Sequence, residues 1–176
     1  MASQSNHEVV FFQALSQDGF VTDSDGSAAW QGPYFIPELG FHDFIATVTA
    51  VILSRATYDK IAAGGKWPYG AIPGIIPADT PLADIGAPVT AVSDEPAAMV
   101  AAARARGDGT VWVQGDTDLA MRLMAAGLVD RLELFVMPVT LGRGTEHIDR
   151  HHLPGLALAG STNFANGVTK EVYLRG

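Results

Sequence analysis

The sequence predicts an α/β fold in which most of the strands run parallel. Three observations lead to this class: apolar runs typical of buried strands, helix-like segments between them, and an alternating strand near the C-terminal end. In the second half, predicted strands and helices alternate in the order PVTAVS, AAMVAAARARG, TVWVQ, DLAMRLMAAG and RLELFVMPVTLG. A strand–helix–strand order of this kind places successive strands parallel and joins them by right-handed crossovers.

The first half begins with a strand over residues 9–15. Its sequence, VVFFQAL, is almost continuously apolar, which suits a strand covered on both faces. A helix is predicted over residues 37–48, because apolar residues recur there at the spacing of one helical face. A second buried strand follows at 50–54, and a short helix over 55–65 ends in two glycines. Residues 64–88, rich in glycine and proline, are predicted to form an ordered loop with short extended pieces.

The helices and the last strand of the second half carry their own boundary patterns. Ser93 and Asp94 are predicted to cap the helix that follows them, and Pro96 fits the first turn of that helix. Residues 168–174 alternate apolar and polar side chains, apart from Lys170 on the apolar face. This pattern indicates an antiparallel strand with one face in solvent, closing the edge of the sheet.

Length and composition favour one domain over residues 1–176, with residues 1–7 as a disordered tail. The formal net charge of −8 argues against nucleic acid and against an anionic membrane surface as partners. The absence of cysteine excludes disulfides, thiolate catalysis and iron–sulfur clusters. The polar N-terminal segment lacks the order of a signal peptide, and the longest apolar run is too short to span a bilayer. We therefore expect a soluble cytoplasmic protein.

The stretch TVWVQGDTDLAMRLM predicts a strand that turns through Gly115 into the N-terminus of a helix. Such a turn is a common phosphate-binding device, because the first N–H groups of the helix point at the anion. Asp116 competes with that function, since it is a good N-cap and would use the same N–H groups. Asp118 adds a second carboxylate, which Arg122 is expected to neutralise in part from four residues further along the helix.

Four segments in order resemble the dihydrofolate reductase-like family, in particular the RibD C-terminal branch of riboflavin-biosynthesis reductases. They are ALSQDGFV, VILSRATYD, KWPYG and GLVDRLELFVMPVTLGRG. The resemblance implies a mostly parallel eight-stranded sheet flanked by helices, with an antiparallel C-terminal edge. It also implies NADPH bound across the carboxyl ends of the strands, hydride transfer to a small heterocyclic or carbonyl/imine substrate, and a homodimer.

The same resemblance suggests residues that contact the cofactor. Arg55 matches the arginine that contacts the NADPH 2′-phosphate, a role suited to a guanidinium, and Thr57 matches a neighbouring phosphate contact. The alternative is that Arg55 pairs with Asp59 in solvent. Ser54 stands where the family has a glycine, so close approach of a cofactor to the backbone is more crowded. The full set of predicted cofactor contacts is Ala14, Arg55, Thr57, Gly115, Asp116, Thr117 and Leu119.

Asp18 matches the aspartate of the family's Ser-x-Asp-Gly segment, beside the nicotinamide end of the cleft. It is the predicted catalytic residue, and the alternative is an ordinary Asp-Gly turn. Four aromatic residues are predicted to form an apolar wall of the substrate pocket, the alternative being a packed surface loop: Trp30, Phe35, Trp67 and Tyr69. Asp43, Glu38 and His42 lie in the region where folate-reducing members place a carboxylate, but the segment does not match that motif well enough to transfer a role. A water could supply the proton, so the identity of the donor stays open.

His147, Asp149 and His151 alternate along the segment TEHIDRHH. An extended strand would place them on one face, where two imidazoles and a carboxylate could bind a metal. A hydrophilic loop with clustered histidines explains the same sequence more simply, so no metal is assigned. A metal-dependent activity through these three residues is the third hypothesis.

The first functional hypothesis is an NADPH-dependent reductase acting on a small molecule. The second is a reductase-fold protein that has lost or altered NADPH use and serves as a binding module or a non-redox cyclase or lyase. Ser54 and Asp116 motivate this second hypothesis, because both depart from the family at phosphate-facing positions.

Overall fold

The structure, a computed structural model, describes residues 7–176 and contains a single eight-stranded sheet. Its strands are β1 (Val9–Leu15), β2 (Val48–Ile52), β3 (Gly74–Pro77), β4 (Val89–Val92), β5 (Thr110–Val113), β6 (Arg131–Val136), β7 (Leu156–Asn163) and β8 (Thr169–Arg175). The α-helices are α1 (Phe41–Thr47), α2 (Arg55–Ala63), α3 (Pro96–Arg104) and α4 (Thr117–Ala125). Two short 3₁₀ helices, Ala29–Tyr34 and Pro37–Leu39, lie in the long connection before α1.

The strand order is β4-β3-β2-β5-β1-β6-β8-β7. The strands from β4 to β6 pair in parallel, whereas β8 pairs antiparallel with both β6 and β7. This is the mostly parallel sheet with an antiparallel C-terminal edge that the sequence predicts, and it has the dihydrofolate reductase-like architecture. The chain runs through β2, β3 and β4 to one edge and then returns to insert β5 between β2 and β1. A reversal of this kind opens a crevice at the carboxyl ends of the strands, where α/β proteins bind ligands.

Two apolar clusters cover the two faces of the sheet. One combines the buried faces of α3 and α4 with side chains such as Phe11 and Leu134. The other combines Phe44 of α1 and Tyr58 of α2 with Phe12 and Trp112. Burial on both faces explains why the parallel strands have nearly continuous apolar sequences.

The helix predicted over 37–48 is divided in the structure. Gly40, with a φ of 80°, separates the 3₁₀ turn Pro37–Leu39 from α1, which begins at Phe41. Only glycine adopts this left-handed conformation at low cost, so the helical pattern of apolar residues does not extend across it. The extended pieces predicted within residues 64–88 are confirmed as β3.

Three boundary predictions in the second half require correction. Glu95, without a side-chain hydrogen bond, is the N-cap of α3 in place of Ser93 or Asp94, although Pro96 does occupy the first turn. The long strand predicted from residue 131 ends at Val136, two residues before Pro138, whose missing N–H cannot join a ladder. β8 is not the edge strand, because β7 pairs along its outer side.

The predicted disordered tail falls almost entirely outside the described residues. His7 is described, and its carbonyl oxygen accepts a 3.1 Å hydrogen bond from Arg104 Nε. Across residues 7–176, none of the helices has the length and apolar character needed to cross a bilayer.

Candidate functional site

Two cavities flank the carboxyl end of β5. The first, which we call the charged cleft, has a volume of about 720 Å³ and is lined by Ser54, Arg55, Ala56, Pro77, Ala78, Asp79, Ser93, Asp94, Asp116, Asp118, Leu119 and Arg122. The second, the uncharged cavity, has a volume of about 410 Å³ and is lined by Phe12, Gln13, Ala14, Gln31, Phe35, Phe41, Trp112 and Gln114. Gly115 lies in the chain between Gln114, which lines the uncharged cavity, and Asp116, which lines the charged cleft.

The N-terminus of α2 is capped by its own side chains. Ser54 Oγ accepts from the backbone N–H of Thr57 at 3.1 Å and lies 3.0 Å from Thr57 Oγ1. The serine at the position of the family glycine therefore has a structural role as N-cap. Its hydroxyl uses one of the N–H groups that an anion at this helix end would otherwise receive.

Arg55 is engaged by neighbours on two segments. Its Nε–H points at both carboxylate oxygens of Asp59, at 2.9 and 3.1 Å. Nη1 donates to the carbonyl and hydroxyl oxygens of Thr80, and Nη2 donates to the carbonyl of Pro81. Because a guanidinium has five N–H donors, one on Nη2 has no partner among residues 7–176. The predicted pairing with Asp59 is present, within a wider network that ties α2 to the loop after β3.

The turn before α4 has the backbone geometry that the sequence predicts. Gly115 has a φ of 93°, and a Cβ there would lie 2.9 Å from Thr57 Oγ1. Asp116 caps the helix, with Oδ1 accepting from the N–H groups of Asp118 at 2.8 Å and Leu119 at 3.3 Å. Two of the donors that could bind a phosphate are therefore used within the protein.

Carboxylates outnumber guanidinium groups in the charged cleft. Arg122 does not pair with Asp118 as the helical spacing suggests. Its Nη1 bonds Asp94 Oδ1 at 3.0 Å and its Nη2 donates to the carbonyl of Asp94. Glu146 approaches from the loop after β6, and its pKa is raised by burial and by the nearby charges of Asp116 and Asp118. The N-terminus of α4 thus faces three carboxylates. Asp116 and Asp118 are evident from the local sequence, whereas Glu146 comes from a distant segment.

The cleft nevertheless has features that fit an anionic ligand. Thr117, a predicted cofactor contact, does not line the cleft: it is 7% exposed, and its buried hydroxyl has no partner among the described residues. Gly115 keeps the backbone open where any side chain would meet Thr57. A glycine turn at a helix N-terminus is suited to phosphate contacts, and the Arg55 guanidinium provides positive charge. A dinucleotide phosphate therefore fits the turn sterically, against an electrostatic cost from the carboxylates.

The uncharged cavity has mainly aromatic walls. The Phe41 ring meets Phe12, Phe35 and Trp112 edge-on, at centroid distances of 5.6, 6.4 and 5.9 Å. The lining contains no Asp, Glu, Lys, Arg or His. Such a cavity favours flat apolar ligands over ions.

Polar groups in the uncharged cavity come from amides and one indole. Gln31 Nε2 donates to the carbonyls of Ala14 at 3.2 Å and Val21 at 2.8 Å, which fixes the orientation of its side chain. Ala14 O also accepts from Gln13 Nε2 at 2.9 Å. Trp112 Nε1 and Gln114 Oε1 are buried, and neither has a partner among the described residues. Both atoms belong to residues that line the cavity, and both are closed off from solvent.

Of the four aromatic residues predicted to line the substrate pocket, Phe35 does line the uncharged cavity. Tyr69 packs behind it, edge-on to Trp112 at 5.6 Å, and burial raises the pKa of Tyr69 to about 12. Trp67 packs on Tyr69 and donates to the carbonyl of Ile72. Trp30 Nε1 donates to the carbonyl of Val21. These three side chains support the walls or the adjoining loop and do not line the cavity.

Asp18 lies away from both cavities and ties two loops together. Oδ1 accepts from Ser16 Oγ at 2.6 Å and from the N–H of Leu141 at 3.1 Å, while Oδ2 accepts from the N–H of Gly142 at 2.7 Å. Burial raises the pKa of this carboxyl, but the hydrogen bonds outweigh burial and the net effect is a lowered pKa. These contacts support a role in positioning the loop that follows β1.

The histidine-rich segment lies outside the named strands, and its side chains contact neighbouring groups. His147 Nε2 lies 2.8 Å from the carbonyl oxygen of Asp18, and Asp149 bonds His152 Nδ1 at 2.6 Å. A Cβ on Gly19 would lie 2.6 Å from His147 Nε2, so the Asp18-Gly19 turn packs directly on this segment. Within residues 7–176, no group of three or more His, Cys, Asp and Glu side chains is arranged to hold a metal ion.

Most residues that line the uncharged cavity were not predicted from the sequence. The missed residues are Phe12, Gln13, Gln31, Phe41, Trp112 and Gln114. The alternation within β5 offers one usable pattern, because Trp112 and Gln114 are two residues apart and share a face of the sheet at its carboxyl end. The other residues come from separate segments and carry no common motif.

Comparison with known proteins gives consistent results. The model of the RibD C-terminal domain family matches residues 82–170. The uncharacterized protein YwjB of Bacillus subtilis (strain 168) is 27% identical over 139 residues, covering 78% of this chain and 80% of YwjB.

Solved structures resemble the whole chain in fold. A protein of Shewanella sp. PV-4 named for riboflavin biosynthesis has a TM-score of 0.75 at 21% identity, covering 96% of this chain and 99% of its own. Dihydrofolate reductase from Enterococcus faecalis, complexed with NADP(H), has a TM-score of 0.66 at 17% identity, covering 97% and 98% of the two chains. At these identities the similarity shows a common fold.

Proposed function

The chain belongs to the RibD C-terminal domain family, and on that premise we propose that it is an NADPH-dependent reductase. It transfers a hydride to a small heterocyclic or carbonyl/imine substrate. The observation that supports this most is the pair of adjoining cavities at the carboxyl end of β5. The charged cleft contains a guanidinium and two helix N-termini that can bind phosphates. The uncharged cavity has aromatic walls and room for a ring.

In this proposal Arg55 binds the 2′-phosphate. Its pair with Asp59 is exposed and joins residues four apart on one helix, an arrangement worth about 0.3–0.5 kcal/mol. A phosphate can displace so weak a partner, and Nη2 retains one free N–H. Thr57, Gly115 and Thr117 form the turn against which the other phosphates lie, and Ala14 and Leu119 flank the two ends of the cofactor.

When bound, the reduced nicotinamide supplies a hydride. The accompanying proton must come from solvent, because no carboxyl or imidazole lines the uncharged cavity. The aromatic walls orient the substrate ring and exclude bulk water. Asp18 contributes by holding the loop after β1 against residues 141–142 and does not touch the reacting atoms.

A second candidate function is ligand binding or non-redox catalysis by a protein that no longer uses NADPH. Asp116 favours this alternative, because its carboxylate occupies two N–H groups of the α4 N-terminus and repels phosphate. Two like unit charges about 5 Å apart repel by about 1 kcal/mol in water and about 3 kcal/mol at an effective dielectric of about 20. The corresponding loss of affinity is roughly 4- to 200-fold, which weakens a phosphate site without abolishing it.

Calorimetric titration with NADPH and with NADH distinguishes the two candidates. The reductase proposal predicts saturable binding of both, with NADPH the tighter ligand. We expect Arg55→Leu to weaken NADPH binding at least about tenfold, which removes the preference for NADPH, and to leave NADH binding unchanged. Arg122→Leu is the matched control, since it removes a guanidinium of the same cleft that is bound to Asp94. Absence of any binding at millimolar NADPH contradicts the reductase proposal and favours the second candidate.

A cytoplasmic location and a homodimer belong to the same proposal. The exposed edge strand β7 and the exposed side chains of Leu158 and Leu174 support self-association through this end of the sheet. Analytical ultracentrifugation tests the dimer: a monomer at all concentrations would contradict it, and Leu158→Lys is expected to shift a dimer towards monomer.

A further inference from the structure

An Asn-Gly pair lies in the turn between β7 and β8. The backbone N–H of Phe164 donates to the carbonyl of Val168 at 2.9 Å, and that of Gly167 donates to the carbonyl of Phe164 at 3.0 Å. Asn166 and Gly167 lie within this turn, and Gly167 has a φ of 89°, a conformation that favours glycine. Glycine is therefore the residue that the turn requires after Asn166.

The Asn166 carboxamide joins this turn to the segment that borders the uncharged cavity. Its Nδ2 donates to the carbonyl of Tyr34 at 3.0 Å, and its Oδ1 accepts from the backbone N–H of Val168 at 3.3 Å. Tyr34 ends the 3₁₀ helix Ala29–Tyr34, and the next residue, Phe35, lines the uncharged cavity. Asn166 therefore holds the C-terminal end of that helix.

We propose that Asn166 is a site of spontaneous deamidation and that this modification releases the segment bordering the uncharged cavity. The backbone nitrogen of Gly167 attacks the side-chain carbonyl carbon of Asn166 and loses its proton, ammonia leaves, and a five-membered succinimide forms. Water then opens the succinimide at either carbonyl and gives aspartate or isoaspartate. Water is the only co-reactant, and nothing is oxidised or reduced. The proposal goes beyond the proposed function and holds whichever ligand the chain binds.

The residue that follows Asn166 distinguishes it from the other asparagines of the chain. The attacking nitrogen belongs to a glycine, so no side chain hinders its approach to the carboxamide. The other two asparagines, Asn6 and Asn163, precede residues with bulky side chains. Gly167 is also exposed, so water reaches the turn. Asn166 is therefore the asparagine at which the reaction is fastest.

The fold controls the rate of this reaction. Attack requires the Gly167 nitrogen to leave the carbonyl of Phe164, and the Asn166 carboxamide to rotate away from Tyr34. Both changes need local opening of the turn, which lies at the end of a hairpin whose strand β7 is exposed along almost its whole length. Deamidation is therefore slower in the folded protein than in a free peptide, and its rate measures how often the turn opens.

The product cannot make the bond to Tyr34. Aspartate has two carboxylate oxygens and no side-chain N–H, so an acceptor would face the carbonyl of Tyr34. The bond from the N–H of Val168 survives in the aspartate product, because a carboxylate oxygen accepts it equally well. Isoaspartate in addition lengthens the backbone by one carbon in the turn. Either product frees the end of the 3₁₀ helix and places a negative charge beside it.

Mass spectrometry of the full chain during incubation at mildly alkaline pH tests the site. The tryptic peptide 151–170 contains both Asn163 and Asn166, and fragmentation assigns the deamidation to one or the other. We expect Asn166 to react at least about tenfold faster than Asn163. We also expect it to react about 10- to 100-fold more slowly than in a synthetic peptide of residues 161–170.

Three results would overturn the proposed site. They are equal rates at the two asparagines, a rate at Asn166 as fast as in the peptide, and no conversion at Asn166 over about thirty half-lives of the peptide. These measurements need no variant, so they test the site even if the substituted proteins do not fold.

Asn166→Asp places the product in the chain, and Asn163→Asp is the matched control. Both exchange an amide for a carboxylate in the same hairpin, but Asn163 uses its oxygen, which accepts from Thr169 Oγ1 at 2.9 Å, and aspartate keeps that bond. Hydrogen exchange followed by NMR reports on the backbone N–H groups of Gln31 and Phe35, which donate within the 3₁₀ segment. We expect both to exchange roughly 5- to 10-fold faster in Asn166→Asp and to be unchanged in Asn163→Asp. Equal acceleration in the two variants, or none in Asn166→Asp, would overturn the claim that the modification releases the segment.

Discussion

The charged cleft and the uncharged cavity lie on either side of the carboxyl end of β5. They differ in the charge of the side chains that line them. In the charged cleft four polar side chains already have protein partners: Ser54 and Asp116 cap their helices, and Arg55 and Arg122 bind neighbouring oxygens. In the uncharged cavity two buried polar atoms, Trp112 Nε1 and Gln114 Oε1, have no partner among residues 7–176.

The difference indicates how each region selects a ligand. Binding in the charged cleft must displace existing contacts and overcome repulsion, so affinity there is sensitive to single charges and to salt. Binding in the uncharged cavity meets no charged side chain and is insensitive to both. Gly115 lies in the chain between the two regions. Substitutions near it therefore test whether ligand binding in one region depends on the other.

The largest expected effect comes from Gly115→Ala. An alanine at a φ of 93° is strained, and its Cβ would lie 2.9 Å from Thr57 Oγ1. We expect a loss of about 2–4 kcal/mol in the free energy of unfolding and a loss of NADPH binding. Urea denaturation and calorimetry measure the two quantities.

The matched control is Gly65→Ala, at a φ of 71° with no heavy atom within 4 Å of the added Cβ. It shares the backbone strain but lacks the contact with Thr57. We therefore expect a loss of about 1 kcal/mol in the free energy of unfolding, with NADPH binding retained. Equal effects of the two substitutions would show that close packing at Gly115 is unimportant.

The next largest effect is expected for Asp116→Asn. Asparagine caps a helix about as well as aspartate, so the substitution removes the charge and keeps the cap. We predict that NADPH affinity rises by roughly 4- to 200-fold. Asp108→Asn, at the other end of β5 and almost fully exposed, serves as the control for net charge. If NADPH affinity does not rise, repulsion by Asp116 is not what weakens the cleft.

A smaller effect is expected from salt. Screening shortens the reach of charges to about 10 Å at an ionic strength of about 0.1 M. Because carboxylates dominate the charged cleft, NADPH should bind a few-fold more tightly as ionic strength rises from about 0.02 to about 0.2 M. An NADPH affinity that falls with salt would indicate that attraction to Arg55 outweighs the carboxylates.

The smallest effect is expected for Asp18→Asn, which changes stability and leaves ligand affinity in both regions intact. Hydrogen bonds lower the pKa of Asp18 in the folded protein, so the unfolded chain binds a proton more readily. The carboxylate therefore stabilises the fold above its ordinary pKa of about 4, and this contribution disappears as the pH falls through the lower folded value.

We expect wild type to exceed Asp18→Asn by about 1 kcal/mol at pH 7 and to converge with it in acid. Asp25→Asn, an exposed turn residue, should show no such difference. Urea denaturation between pH 3 and pH 7 measures the curves. Unaltered stability with loss of turnover would instead support the catalytic assignment of Asp18.

The sequence predicts the fold well because its fold signals are local. The strand at Val9–Leu15 and the Asp116 cap each depend on a few adjacent residues, and the structure confirms both. The eight-stranded sheet and the position of the cleft at the carboxyl ends of its strands were implied by the family resemblance and not by these local patterns.

The lining of the site was harder to predict because its contacts join distant segments. Arg122 pairs with Asp94, 28 positions earlier, and not with Asp118 on its own helix. Asp18 receives N–H groups from residues more than 120 positions away. Likewise, the aromatic walls combine β1, β5, α1 and the loop before it, and no local pattern indicates that these segments enclose one cavity.

A crystal structure of the protein grown with saturating NADPH tests the central claim most directly. We predict that the nicotinamide ring lies at the uncharged cavity beside Ala14, with the phosphates along Gly115 and Thr117 and the 2′-phosphate on Arg55. The cofactor would then bridge the two regions. A dinucleotide bound elsewhere on the protein, or a site that stays empty at millimolar NADPH in a lattice that leaves it accessible, would contradict the account.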